Sequence, residues 1–390
     1  MNFDLSLILC YTFIVVKTTA IKQKGKIIMI TMSKSKTVLE DVDDRKEVIT
    51  TFDITPTDGL QKLREIANGI QDSCSDVLLK RVSLKNLAMI CEGAKFKAKY
   101  IHDGAVDCSY LSDFSFGQLC TKLGIPARYL TSCAVRGYDE LALNNLNTWI
   151  DDFDKDLLFR IYKNKIRGVL SSRYSVFDTP DIVDVVDDTT RGLGLKVKSF
   201  FMNEERFHAR LIQQEKMNIN GEDLFAGIQI DSSDVGRSTL AVNFFIFKQV
   251  CTNGLCISKG KANLFTQKHL NICTDDFREE LKSSLKYLPD LIGEYEHIIQ
   301  RCALQYNLLG SKYTSGKPDT DKMLEEFIAK LKTKTKLSDE GVNKVIDLSN
   351  NVYGFSDWGV INSITEVAQD YTLERRIELE KIAGSMLRVV

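Results

Sequence analysis

Arg160, Lys163, Lys165, Arg167 and Arg173 fall within residues 157–177, a stretch without a single acidic residue, and Arg237, Lys248, Lys259, Lys261 and Lys268 fall within 235–274, again without one. Cations at this density suit a phosphate backbone, which is bound by Arg and Lys whatever its sequence. Aromatic residues lie among them: Tyr174 stands beside Arg173, and Phe245 and Phe247 alternate with Asn243 and Gln249. Rings between cations offer stacking platforms for the bases of a single strand. Lys196, Lys198, Arg206 and Arg210 add a third basic group between the two stretches. The formal net charge is only -1, so these tracts stand against an acidic background. The same pattern also fits a half-buried hairpin whose long side chains reach water from a sheet edge.

Other chemistries are poorly provided for. Ten cysteines are scattered with no CxxC pair, and none of the four histidines stands at ligand spacing from another His or Cys, so neither a metal nor a cofactor is expected. A phosphate loop, a nucleophile elbow and a paired-carboxylate nuclease signature are missing from the sequence. Asp231 and Asp234, beside basic strands, could bind Mg²⁺, although polar turns routinely contain such pairs, and a metal-dependent nuclease is the form an enzyme would take. The scattered thiols suit a reduced, cytoplasmic setting.

The elements that must position these residues begin with Leu240 to Cys251, an alternating β-branched and aromatic run that reads as one strand. Asn253-Gly254 then predicts a two-residue type I′ turn, in which both central residues take positive φ. In that hairpin Cys251 and Cys256 would stand opposite each other, a separation too wide for an unstrained disulfide, so both read as small strand residues. Leu240, Val242, Phe244, Ile246 and Val250 share one face; Ala241, Asn243, Phe245, Phe247, Gln249 and Cys251 share the other, which is either covered by helices or open to a ligand.

Upstream, Leu158–Ile161 and Ile166–Leu170 read as strands around Lys163-Asn164, followed by a helix with Thr179 as cap and Pro180 at its first position. Leu195–Phe201 and Arg206–Ile212 form another hairpin, whose Lys196, Lys198, Arg206, His208 and Arg210 share a face only if the loop has an odd number of residues. With Leu224–Ile230, about six to eight strands lie between Leu157 and Ser258 and predict a mainly antiparallel, twisted central sheet.

Earlier still, Thr57–Ser73 and Val82–Ile90 have helical or mixed periodicity, and Ala94–Ile101 reads as a strand closed by His102-Asp103-Gly104. In FGQLCTKLGIPARYLTSCA, Gly124 ends one helix and Pro126 opens the next, and a third helix covers Tyr138–Trp149. As a helix-turn-helix this unit would lay its second helix in a major groove, with Arg128, Tyr129 and Arg136 reaching phosphates or base edges; the alternative is a helical cap on the domain. From Thr274 the pattern is helical, with Ser338 and Ser356 as caps, a kink at Pro289 and a linker over Gly310–Pro318. At the amino terminus, Leu5–Val16 resembles a signal peptide but has Asp4 and no cation before it and is too short to span a bilayer; a start at Met29 or Met32 fits better, and both readings place the first 31 residues outside the fold.

Four stretches, LCTKLGIPARYL, KIRGVLSSRYSVFDTPDIVDVV, VNFFIFKQVCTNGLCI and INSITEVAQDYTLERRIELEKIAGSML, together resemble the phage- and plasmid-borne proteins grouped as domain of unknown function 932, over roughly Leu111 to Leu387. The resemblance implies a mobile-element protein and no particular reaction. Where that family often has His-Asp-Gly before the long strand, this chain has Ser233-Asp234-Val235-Gly236.

The expected fold is α+β: a central mainly antiparallel twisted sheet with helices before it and a helical C-terminal region. The expected divisions are a leader or mis-assigned start (1–31), an N-terminal α/β region (32–110), a helix-hairpin and sheet domain (111–270) and a helical region (271–390) packing on the sheet. The expected function is nucleic-acid binding, of single strands, in replication or recombination, with no stable membrane association and a homo-oligomer as an open option. A structural or interaction protein is the alternative, and burial of both faces of the Leu240–Cys251 strand would favour it.

Overall fold

The structure is a computed structural model that describes residues 19–23, 26–30, 59–219, 221–248, 253–258, 260–270, 272–305 and 321–387. Strands β1 (Thr19–Gln23) and β2 (Lys26–Ile30) pair with each other and, among the described residues, with no other strand. Helix α1 (Gly59–Gln71) leads into β3 (Cys74–Leu79), a 3-10 turn at Arg81–Asn86, and the meander β4 (Ala88–Glu92), β5 (Lys95–His102) and β6 (Ala105–Leu111). Helices α2 (Asp113–Leu123), α3 (Ala127–Val135) and α4 (Asp139–Asp151) follow, and β7 (Leu157–Tyr162) and β8 (Lys165–Ser171) return to the meander. The resulting sheet runs β3-β7-β8-β6-β5-β4, antiparallel except where β6 meets β8.

A second sheet runs β13-β12-β11-β10-β9, with β14 also paired to β12. It is entered through α5 (Thr179–Thr190) and built from β9 (Leu195–Met202), β10 (Phe207–Ile219), β11 (Glu222–Ser232), β12 (Leu240–Lys248), β13 (Asn253–Ile257) and β14 (Asn263–Gln267). Helices α6 (Thr274–Leu285), α7 (Leu288–Leu304), α8 (Asp321–Thr335), α9 (Asp339–Asn351), α10 (Asp357–Val367) and α11 (Leu373–Gly384) complete the chain. The α+β class, the mainly antiparallel strands and the helical C-terminal region are as expected. The strands, however, are shared between two sheets, because β7 and β8 pair with β3 and β6 rather than with β9.

Each sheet has its own core. Phe116, Leu119, Leu130, Leu146 and Phe159 bury the first sheet against α2–α4. The second core gathers Leu63 of α1, Ile182 of α5, Leu240, Val242, Phe244 and Ile246 of β12, and the apolar faces of α6, α7 and α10. The other face of β12 is buried too, with Phe245 fully enclosed and Phe247 nearly so.

Several local signals act as their chemistry requires. Gly124 ends α2 at φ 75°, and its N–H donates to the Cys120 carbonyl. The Ser338 and Ser356 hydroxyls accept from the N–H groups of Gly341 and Gly359, capping α9 and α10. Asp103-Gly104 and Lys163-Asn164 form tight turns with positive φ at both residues. Other expectations are corrected. Asp178, one residue before Thr179, caps α5 through a capping box with Asp181. Pro289 lies in the first turn of α7, where its missing N–H costs nothing, and starts that helix rather than kinking one. Residues 82–90 divide between the 3-10 turn and β4. The linker expected at Gly310–Pro318 lies outside the described residues.

The largest local correction concerns Asn253-Gly254. Both lie in β13, with Asn253 opposite Lys248 and Gly254 opposite Phe247, rather than at the centre of a two-residue turn; residues 249–252 lie outside the described residues. Cys256 consequently faces Phe245, and Cys251 lies outside the described residues. Gly254 is required for a different reason: a Cβ there would come within 2.6 Å of the Phe245 ring. Gly254→Ala should cost about 1–3 kcal/mol by overpacking. In urea denaturation, Phe245→Leu should recover much of that loss, whereas a positive-φ requirement would leave the two changes additive.

Candidate functional site

The β7–β8 hairpin turns its two arginines inward. Arg160 is completely buried and Arg167 nearly so. Arg160 donates to both carboxylate oxygens of Asp178 (2.5 and 2.6 Å), to Asp76 on β3 (2.9 Å) and to the Asp234 carbonyl (2.7 Å). Asp178 also accepts from Gln71 of α1 (2.8 Å). Arg167 donates to the Glu204 carbonyl (3.0 Å) and pairs with the Asp234 carboxylate (3.5 Å), which also accepts from Thr179 (3.0 Å). Burial works against ionisation of Asp178, but the hydrogen bonds and charge of Arg160 outweigh it and hold its carboxyl below the ordinary range. Beside this network the Tyr174 ring stacks on His269 at 5.3 Å, and its hydroxyl donates to the Ser233 carbonyl. Burial pushes His269 down to about 4.

A second charged layer lies under α11. His208 Nδ1 contacts Asp231 at 2.7 Å, and Asp231 also pairs with Lys381 at 2.8 Å. Burial opposes the Asp231 charge, yet His208 and Lys381 hold the carboxyl far below its usual range, while burial keeps His208 below its own. Arg210 binds Glu380 and stands over the Phe245 ring at 4.7 Å; Lys198 stands over Phe247 at 4.8 Å. The Asn203–Arg206 loop has four residues, which by parity separates the two strands' cations. A register shift between Arg210 and Leu211 compensates, leaving Lys196 opposite Ile212 and Lys198 on the face of Arg210.

The structure therefore disperses the sequence-derived nucleic-acid set. Arg160, Arg167, Arg210, Phe245, Phe247 and Lys248 are buried, Lys248 against Glu222 at 2.6 Å, and none of these offers a surface to a strand. Lys165 is half-buried and paired with Glu204 (2.6 Å), and Arg206 with Glu374 (3.4 Å); Tyr174, Lys196 and Lys198 are half-buried. Lys163, Arg173 and Lys261 are exposed, and Lys259 lies outside the described residues. Asp231 and Asp234 are engaged by cations, and among the described residues no group of three or more His, Cys, Asp or Glu could hold a metal ion.

What remains open is α3. Its inward face, Leu130, Cys133 and Ala134, is buried. Its outward face carries Arg128, Thr131, Ser132, Val135 and Arg136, which line an open groove of about 360 Å³. Those positions are spaced i, i+3, i+4, i+7 and i+8, one face of a helix. Tyr129 is exposed beside them, and neither arginine has an ion-pair partner among the described residues. The unit is firmly seated. Ser112 caps α2, and the Ser115 hydroxyl donates to the Ile166 carbonyl of β8 at 2.7 Å. Gln118 accepts from the Val169 N–H and donates to the Val235 carbonyl, both at 2.8 Å. The sequence pointed to Arg128 and Arg136; it carried no signal for Glu380 or Asp178 as partners, which become neighbours only through the fold.

Two packed, mainly antiparallel sheets joined by buried arginines and closed by a helical C-terminal region define the class of protein. The family model described as "Domain of unknown function (DUF932)" matches residues 167–384, more than half of the chain, and the chain belongs to that family. The match begins after α3, so the α2–α4 unit lies outside the matched residues. No curated protein and no solved structure matches the chain. No helix among the described residues is long and apolar enough to cross a membrane.

Arg160→Ala strands Asp178 without its counter-charge in a dry site and should cost about 3–5 kcal/mol, read from chemical denaturation. A second expectation concerns pH. The unfolded chain protonates His269 near pH 6.5 and the folded chain only near 4, so the unfolded state holds more protons in that window. Stability should fall as the pH drops from 6.5 to 4, by up to about 3 kcal/mol from this group. His269→Gln should flatten that part of the stability profile.

Proposed function

We propose that the protein binds nucleic acid through the outward face of α3, in the replication or recombination of phage or plasmid DNA. The observation that carries this reading is the exposed, unpaired couple Arg128 and Arg136, flanking Thr131 and Ser132 on one helix face. Nine residues make a helix about 13 Å long, and a major groove about 12 Å wide admits a helix. The two arginines would take phosphates while Thr131 and Ser132 meet base edges. A tight turn at Gly124 and Pro126 holds α3 against α2, as in helix-turn-helix proteins, and the mobile-element setting implied by the sequence resemblance agrees with a DNA partner. Buried Phe245 and Phe247 take no part in this mode.

A second reading, a structural or interaction protein, is favoured by one observation. Tyr138, Leu141 and Trp149, at the start of and along α4, are about half exposed, and aromatic side chains are enriched at protein interfaces.

Duplex and single-stranded oligonucleotides, titrated at several salt concentrations and followed by fluorescence anisotropy, distinguish the readings. Duplex binding should weaken steeply with salt. Arg128→Ala with Arg136→Ala should lower affinity at least tenfold and reduce the log–log salt slope by about 2. Salt-insensitive binding, or a double variant equal to the parent, would sink the proposal.

A further inference from the structure

The face of the second sheet beneath α11 is unusual for a buried surface. It carries Arg210, His208, Gln229, Asp231 and Asn243 among Phe245, Phe247 and Cys256, and α11 lies over this charged part of it. That helix is itself charged: Leu379 and Ala383 anchor it in the second core and Gly384 packs on the Cys256 backbone, while its contacts with the charged part of the sheet are ionic. Glu380 bridges Arg210 and Arg376, Glu374 lies 3.4 Å from Arg206 and 3.6 Å from Arg237, and Lys381 pairs with Asp231. The fit is also imperfect: His208 Nε2 and Asn243 Oδ1 are buried here without a hydrogen-bond partner among the described residues. Ion pairs that have lost their water are close to balanced against their desolvation, so another anion can take the place of such a carboxylate at little net cost.

What α11 covers is a row of cations over aromatic rings. Lys198 and Arg210 lie over Phe247 and Phe245, Lys196 lies further along the same face, and Arg206 and Arg237 stand at its end. Carboxylates occupy the positions at which phosphates would meet these arginines, and the rings beneath are the platforms a single strand uses. Lys198, Ile212 and Phe225 are only half-buried, so this face already meets water along one edge.

We propose that α11 is a built-in competitor for a single-stranded nucleic acid on the second sheet, its Glu374 and Glu380 standing where phosphates would contact Arg206, Arg210 and Arg237, and that withdrawal of the helix opens this face. The proposal does not depend on α3.

The test uses the full chain carrying Arg128→Ala and Arg136→Ala, which removes the α3 contact. Binding of a labelled oligothymidylate is compared with and without Glu374→Gln. Glu374 is partly exposed, so this change tests the competition without leaving a buried charge unpaired, as Glu380→Gln would. Removing the carboxylate should tighten binding about five- to tenfold. In hydrogen exchange, amides of 373–384 should lose protection when the oligonucleotide saturates the chain. Absence of binding, equal or weaker affinity in the Glu374 variant, or saturation with α11 still protected would each overturn the proposal.

Discussion

The contact on which the two halves of this molecule depend is the buried fork of Arg160 on Asp178. One guanidinium joins four parts of the chain: β7, which carries it; β3, through Asp76; the cap of α5, through Asp178; and the turn before β12, through the Asp234 carbonyl. A buried pair of this kind gains little net stability, since desolvation consumes most of its Coulomb energy. Its effect here is registration. Asp178 serves at once as the counter-ion of the first sheet and the cap of the helix that enters the second, so the helix cannot start elsewhere without abandoning a buried charge. The backbones approach closely at the same place: a Cβ on Gly168 would lie 2.9 Å from that of Val235.

That constraint decides which cations are free. The densest basic stretch of the sequence supplies the joint between the sheets, and Arg210 and Lys248 are consumed in the same way by Glu380 and Glu222. Cations that remain available belong to elements whose outward faces have no acidic neighbour, and α3 is the clearest of them. It packs behind α2, which is fixed to β8 and to the turn before β12 by Ser115 and Gln118, two neutral side chains bonded to backbone groups, so that seating the unit consumes none of the α3 arginines.

Signals confined to one turn were legible in the sequence. Gly124, Pro126, Ser338 and Ser356 end or begin helices because a left-handed cap, a missing N–H or a hydroxyl acceptor is a local requirement. Signals that depend on partners were not. Arg160 and Asp178 are 18 residues apart, but Arg210 and Glu380 are 170 apart, and a count of charge along the chain cannot tell a paired cation from a free one. Asn253-Gly254 shows the ambiguity within a single residue: the glycine reads as a turn because it permits positive φ, whereas the structure uses its missing side chain to admit the Phe245 ring. The facing of Lys198 and Arg210 likewise turned on one register shift that no loop length reveals.

The central claim is that α3 is where nucleic acid meets the protein, and mapping the contact by photo-crosslinking is the most direct test. A duplex carrying a photoreactive base, irradiated with the wild-type chain and digested, should label the peptide containing Tyr129, Thr131 and Ser132. Labelling confined to other surfaces, such as the exposed Lys163 and Arg173, or no labelling under conditions of saturating duplex, would contradict it.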